Sequence, residues 1–156
     1  MADLPLLDRA RDLGAQESGL AVVVTSRADG TAQASVVNAG VLDHPVTALR
    51  VVGFVARGGA RKLAHMRARP RVTMVFRSGW EWVAVEGDAE LVGPDDDQEG
   101  VRSSDVARLR RTVYAAAVGG TAEQWATLDE VMDAERHTAV LIRPVRVYSN
   151  PPEPSA

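Results

Sequence analysis

The chain has 156 residues, with 18 lysines and arginines against 21 aspartates and glutamates, a formal net charge of −3 and 46% hydrophobic residues. That length suits one domain, 1–156, and the near-even charge argues against coating DNA or a membrane through bulk charge. There is no cysteine, which excludes disulfides and thiolate metal sites.

Residues 4–16 place Leu4, Leu7, Ala10, Leu13 and Ala15 at helical spacing, which predicts a short amphipathic helix. The same stretch lacks a cationic start before an apolar core, so no export signal is visible. No apolar run approaches the roughly 20 residues needed to span a bilayer, and a cytoplasmic protein is expected. "GLAVVVTSR" (19–27), the turn "ADG" and "TAQASVVNAGVL" (31–42) predict a β-hairpin. After "DHP", a third strand is expected over 47–56. "GGARKLAHMRARP" reads as a helix entered through two glycines and stopped before Pro70. Strands follow over 71–76 and 79–93, the second with Gly87 as a bulge where it bends. The acidic "PDDDQEG" is a loop, and helices are expected over 101–118 and 121–135, with Thr121 a candidate N-cap. A last strand covers 138–149, and 150–156 form a tail. Six strands with mainly hairpin connections and helices at the crossings predict an α+β fold, an antiparallel barrel with helical decoration.

Charge is uneven along this chain. Arg57 to Arg77 holds seven cations and no acid, whereas Glu81 to Asp105 holds nine acids and one arginine, Arg102. Two readings follow: solvated faces that neutralise each other, or a local anion site in an otherwise acidic protein. For the anion site, Gly58 and Gly59 let backbone approach a ligand just ahead of a helix whose free N–H groups point outward. Arg57, Arg61 and Lys62, the only lysine in the chain, would add charge-assisted bonds to a phosphate. A plain turn with solvated cations is the competing reading. Arg67, Arg69 and Arg71 read as surface residues near the acidic loop, since no aromatics interleave with them for base stacking.

Trp80 and Trp82 fall at period 2 on one strand, either as core or as the wall of a cavity for a planar ring. His44, His65 and His137 show no metal-binding spacing, so no metal is expected. Ser35 has no GxSxG elbow, and neither a Walker loop nor GxGxxG occurs. Without hydrolase apparatus, a site for a cofactor that carries its own reactivity stays open.

Together, "LAVVVTSRADGTAQASVVN", "GGARKLAHMRARPRVTMVF", "GWEWVAVEGDAELV" and "RHTAVLIRPVRVYSNPP" resemble the pyridoxamine 5′-phosphate oxidase-like split β-barrel superfamily. Within it they are most similar to the small actinobacterial branch that uses the deazaflavin coenzyme F420. The resemblance covers about residues 4–152 and implies a six-stranded split barrel of the FMN-binding type. It also implies a homodimer with two equivalent cofactor clefts at the subunit interface. By position, Lys62 matches the family's phosphate-tail lysine, and Arg57 and Arg61 fall in the same corner. Thr25, Ser35, Val36 and Asn38 fall on the strands that face the tricyclic ring, and Trp80 and Trp82 match aromatic positions lining the cleft from the partner subunit. The closing "VRVYSNPP" lacks the Arg-and-His pattern by which true pyridoxamine-phosphate oxidases hold substrate, so that activity is not expected. The "GGAR" corner has fewer fixed polar groups than a typical FMN-phosphate site, which favours F420 over FMN. The expected function is an F420-dependent oxidoreductase acting on a small molecule. The alternatives are an FMN-dependent oxidoreductase and a non-catalytic flavin- or deazaflavin-binding protein. The catalytic residues are unassigned.

Overall fold

The computed structural model describes residues 3–120 and 122–151. The expected cap Thr121 and most of the expected tail, 152–156, lie outside the described residues. Helix α1 (Leu4–Gln16) starts where the Asp3 carboxylate accepts from the Leu6 N–H at 3.3 Å, with proline in the first turn. Its buried face is Leu7, Ala10, Leu13 and Gly14, whereas Leu4 and Ala15 point to solvent. Both sit one position off the stripe that the strands cover.

Six strands close into one antiparallel barrel in the order β1-β2-β3-β6-β5-β4. They are β1 (Leu20–Ser26), β2 (Ala32–Asp43), β3 (Arg50–Ala56), β4 (Arg71–Ser78), β5 (Glu81–Val92) and β6 (Thr138–Ser149). Closure removes both edges, which an open six-stranded sheet would have to protect. The inward face of β1 is Ala21, Val23 and Thr25, and that of β4 is Val72, Met74 and Phe76. Apart from Thr25, these residues join Phe54, Val85 and Ile142 in one core with Leu7, Ala10 and Leu13 of α1. Helix α2 (Arg61–Ala68) adds Leu63 and Met66 to the same core. A second core, Val51, Val92, Leu109, Val113, Ala139 and Leu141, lies between the barrel and α3 (Val106–Val118). Helix α4 (Ala122–Ala134) is tied to α3 by ion pairs from Arg110 to Asp133 and from Arg111 to Asp129.

Two boundaries differ from expectation. β3 begins at Arg50 rather than residue 47 because His44 organises the preceding loop. Its buried ring accepts the Val46 and Thr47 N–H groups at Nδ1, so Nε2 carries the proton and donates to Glu90 at 2.8 Å. At the expected bulge the register does shift between Glu86 and Gly87, but Glu86 pairs with Arg146 and Gly87 with Pro144. The extra residue is therefore Val145 of β6, beside a proline that cannot donate to the ladder. Gly87 lies opposite, where a Cβ would come 2.2 Å from the Arg143 carbonyl oxygen.

Candidate functional site

The corner between β3 and α2 comprises Arg57, Gly58, Gly59 and Ala60. Gly59 has φ +84° with open space where a Cβ would project. Gly58 is different. Its N–H donates to the Glu135 carbonyl, and a Cβ there would sit 2.6 Å from the Arg136 carbonyl oxygen. Gly58 thus allows the corner to pack on the chain's own α4–β6 connection, and of the expected pair only Gly59 leaves room for a ligand. Arg57 gives both its forks to Glu135, at 3.0 and 3.2 Å.

No side chain caps α2; the Leu63 N–H donates to the Ala60 carbonyl at 3.0 Å, and the Arg61 and Lys62 N–H groups remain available donors. The helix is anchored from below by Leu63 and Met66, and from the side by Thr25 Oγ1 against His65 Nδ1 at 2.9 Å. Arg61 and half-buried Lys62 occupy that first turn. Around them the basic segment is largely neutralised. Arg67 pairs with Asp96 at 2.7–2.8 Å, Arg71 pairs with Asp88 at 2.9 Å, and Arg69 donates to the Ser26 carbonyl. The basic and acidic stretches therefore neutralise each other in part, through Arg67 with Asp96 and Arg71 with Asp88. Among the described residues, only Arg61, Lys62, Arg77 and Arg146 of the cations make no hydrogen bond or ion pair. Two of these four are adjacent at the start of α2.

The four strand residues expected to face one ring do not share a face. Thr25 pairs with Gln33 and Ser35 with Val23, so both point into the barrel, and Thr25 is only 1% exposed. Val36 pairs with Val22 and Asn38 with Leu20, so both point outward, and Asn38 donates to the Ser18 carbonyl at 3.0 Å. Within β2 the period of 2 puts Ser35 on the face opposite Val36 and Asn38, and the register with β1 puts Thr25 on the side of Ser35. Thr25 belongs to the site through His65, and Ser35 faces the interior.

The outward face continues across β4, β5 and β6. Val22 pairs with Val75, Val75 with Ala84, Arg77 with Trp82, and Ala84 with Tyr148. Trp80 is not in the strand; it follows Gly79 in the β4–β5 turn and is 92% exposed. It nonetheless shares one shallow hollow with Trp82, Gly79, Val75 and Arg77. Trp82 meets Tyr148 edge-on, with ring centroids 6.0 Å apart. Partial burial, then the hydrogen bond to Glu86 and its charge, raise the Tyr148 phenol above its ordinary pKa. His65, Arg77 and Tyr148 are site residues that the sequence reading does not reach, and Glu86 follows from the alternation beyond Ala84. Counting by twos from Val75 would reach Arg77, as counting from Trp82 through Ala84 reaches Glu86, whereas Tyr148 joins this face only through its pairing with Ala84.

Residues 7–150 match the family described as pyridoxamine 5′-phosphate oxidase. No curated protein matches the chain. Among solved structures, a conserved hypothetical protein of Mycobacterium tuberculosis is similar at 20% identity and TM-score 0.67, covering 96% of this chain and 84% of that one. A pyridoxamine 5′-phosphate oxidase-related, FMN-binding protein of Nostoc punctiforme is similar at 14% identity and TM-score 0.67, with the same coverage, 96% and 84%. An F420 reductase is similar at 19% identity and TM-score 0.54, covering 83% of this chain and 88% of that one. At such identities the likeness is one of fold. The family match spans nearly the whole six-stranded barrel, and the chain belongs to the pyridoxamine 5′-phosphate oxidase family.

Proposed function

We propose that this chain is an oxidoreductase that uses the deazaflavin F420 and acts on a small organic molecule. The observation that carries this reading is the pair of unpartnered cations, Arg61 and Lys62, on the uncapped first turn of α2 beside the open side of Gly59. Two free cations, free backbone donors and room for an anion fit a phosphate. Arg57 can join them only by releasing Glu135. When bound, F420 supplies hydride transfer, and the electronics of that step are its own. The chain's part is to hold the phosphate tail at Arg61 and Lys62 and to keep water off the ring with Val22, Val36, Val75 and Ala84. The indoles of Trp80 and Trp82 supply aromatic wall, and Tyr148, its pKa raised by partial burial and the neighbouring Glu86, keeps its proton on this face. Positioning and water exclusion are the contributions open to such a scaffold.

The outward face leaves Leu20, Val36, Trp80 and Tyr148 exposed, which supports a two-fold dimer covering it. The FMN-binding relative from Nostoc supports FMN as the alternative cofactor. Equilibrium fluorescence titrations decide between them: F420 is expected to bind at micromolar or better affinity and FMN more weakly. Tighter FMN binding would move the assignment to the flavin. A screen of acceptors against reduced F420 separates catalysis from storage; no oxidation above the uncatalysed rate would favour a carrier.

A further inference from the structure

Glu135 touches the β3–α2 corner twice. Its carbonyl accepts the Gly58 N–H at 3.1 Å, and its carboxylate takes both forks of Arg57 at 3.0 and 3.2 Å. Its backbone is fixed just past the end of α4, where its N–H donates to the Val131 carbonyl at 3.0 Å. The next residue, Arg136, pairs with Asp95, and its carbonyl oxygen would lie 2.6 Å from a Cβ at Gly58. The α4–β6 connection is therefore anchored against the corner, whereas the Arg57 side chain is exposed and free to turn away from it. His137 Nε2 lies 3.8 Å from the same carboxylate, but burial keeps that ring neutral near pH 7, so it adds no charge there.

A charge count follows. Arg61 and Lys62 bring two positive charges without partners, while Arg57 and Glu135 cancel each other. A phosphate diester carries one negative charge. A monoester carries about −1.5 to −2 at pH 7, because its second pKa is about 6. Two free cations suit the single charge. The second charge of a monoester calls for a third cation, and the one at hand, Arg57, is already committed to a carboxylate that repels it. We infer that Glu135 is a specificity-determining residue: by holding Arg57, it makes the corner select a phosphate diester over a phosphate monoester. The inference rests on the phosphate reading of this corner and gives a chemical reason for preferring F420, a diester, to FMN, a monoester.

Three ligands with one ring system test it by fluorescence titration into the full chain at about pH 7.5, where the monoester is a dianion. They are riboflavin without phosphate, FMN, and the methyl diester of FMN. The parent should bind the diester more tightly than FMN. Glu135→Gln releases Arg57 and should strengthen FMN about tenfold, as one added charge-assisted contact predicts, with the diester moving no more than about threefold and riboflavin no more than about twofold. Glu135→Asp keeps the charge and should keep FMN weak. Adding Arg57→Gln to Glu135→Gln restores the parent's charge count and should return FMN to within about threefold of the parent. Unchanged FMN affinity in Glu135→Gln, equal strengthening of FMN and the diester, the same gain in Glu135→Asp, or a gain that survives the loss of Arg57 would each overturn the role of Glu135. Lys62→Ala separates the two ways of failing. If it weakens FMN and the diester while Glu135→Gln changes neither, the phosphate corner stands and only the selectivity falls. If it weakens neither, the phosphate reading falls and takes this inference with it.

Discussion

At the scale of single residues, the chemistry turns on which cations are left free. Lys62→Ala removes one charge-assisted contact to a phosphate, worth about 1.5–3 kcal/mol, and should weaken F420 binding roughly 10- to 150-fold in a fluorescence titration. Lys62→Arg should recover part of that loss. Arg71→Ala, whose guanidinium is already committed to Asp88, should leave affinity within about twofold. Wild-type affinity in Lys62→Ala would reduce the corner to a plain turn. Glycines divide as sharply. Gly59→Ala meets no neighbour and incurs only its left-handed backbone, about 1–2 kcal/mol. Gly87→Ala drives a methyl to 2.2 Å from a backbone oxygen and should cost about 3 kcal/mol or more, read as a lower denaturant midpoint.

Elements are held to the barrel by a few specific ties, and one of them senses pH. The α4–β6 connection carries His137, whose pKa lies below its ordinary 6.5 chiefly through burial, against the pull of Glu135. The unfolded chain takes up a proton near 6.5 that the folded chain refuses, so stability falls as pH drops from there toward the folded value. His137→Gln should remove that leg of the profile. A second leg lies lower. Asp88, Asp95, Asp105 and Asp129 are held below their ordinary 3.8 by hydrogen bonds from Arg71, Arg136, Arg108 and Arg111 respectively. Their contribution is present above 3.8 and is lost as pH falls through the folded values; because all but the part-buried Arg111–Asp129 pair are exposed, added salt should shrink it. Denaturant midpoints measured across pH, with and without salt, check both legs. Helix α2 offers the mechanical test: Thr25→Val breaks the bond to His65 and should lower stability by about 1 kcal/mol while weakening cofactor binding.

For the whole molecule, closure of the barrel solves the edge problem but not the surface problem. The outward face of β1, β2, β4 and β5 carries Leu20, Val36, Val75 and Trp82 in one apolar tract. Light scattering at micromolar concentration should therefore give about twice the 16.7 kDa chain mass. A monomer mass would undo the shared cleft. No helix among the described residues is long and apolar enough to cross a membrane.

Most elements were legible because their signals are local: β-branched runs, the Asp29–Gly30 turn, and the two glycines before α2. Lys62 stood out as the only lysine in a run of arginines. What local pattern does not carry is register. Strand pairing decides that Thr25 lies with Ser35 on the inward face while Val36 and Asn38 lie on the outward one. Nor does the chain order state that Arg57 answers Glu135, 78 residues away, or that Arg67 answers Asp96. The sequence by itself determined a small, acidic, cysteine-free barrel former with a cationic segment entering a helix. Only the tertiary structure decided which of those cations stay free, because ion pairing depends on separation in space, and the fold brings carboxylates to Arg57, Arg67 and Arg71 but not to Arg61, Lys62 or Arg77.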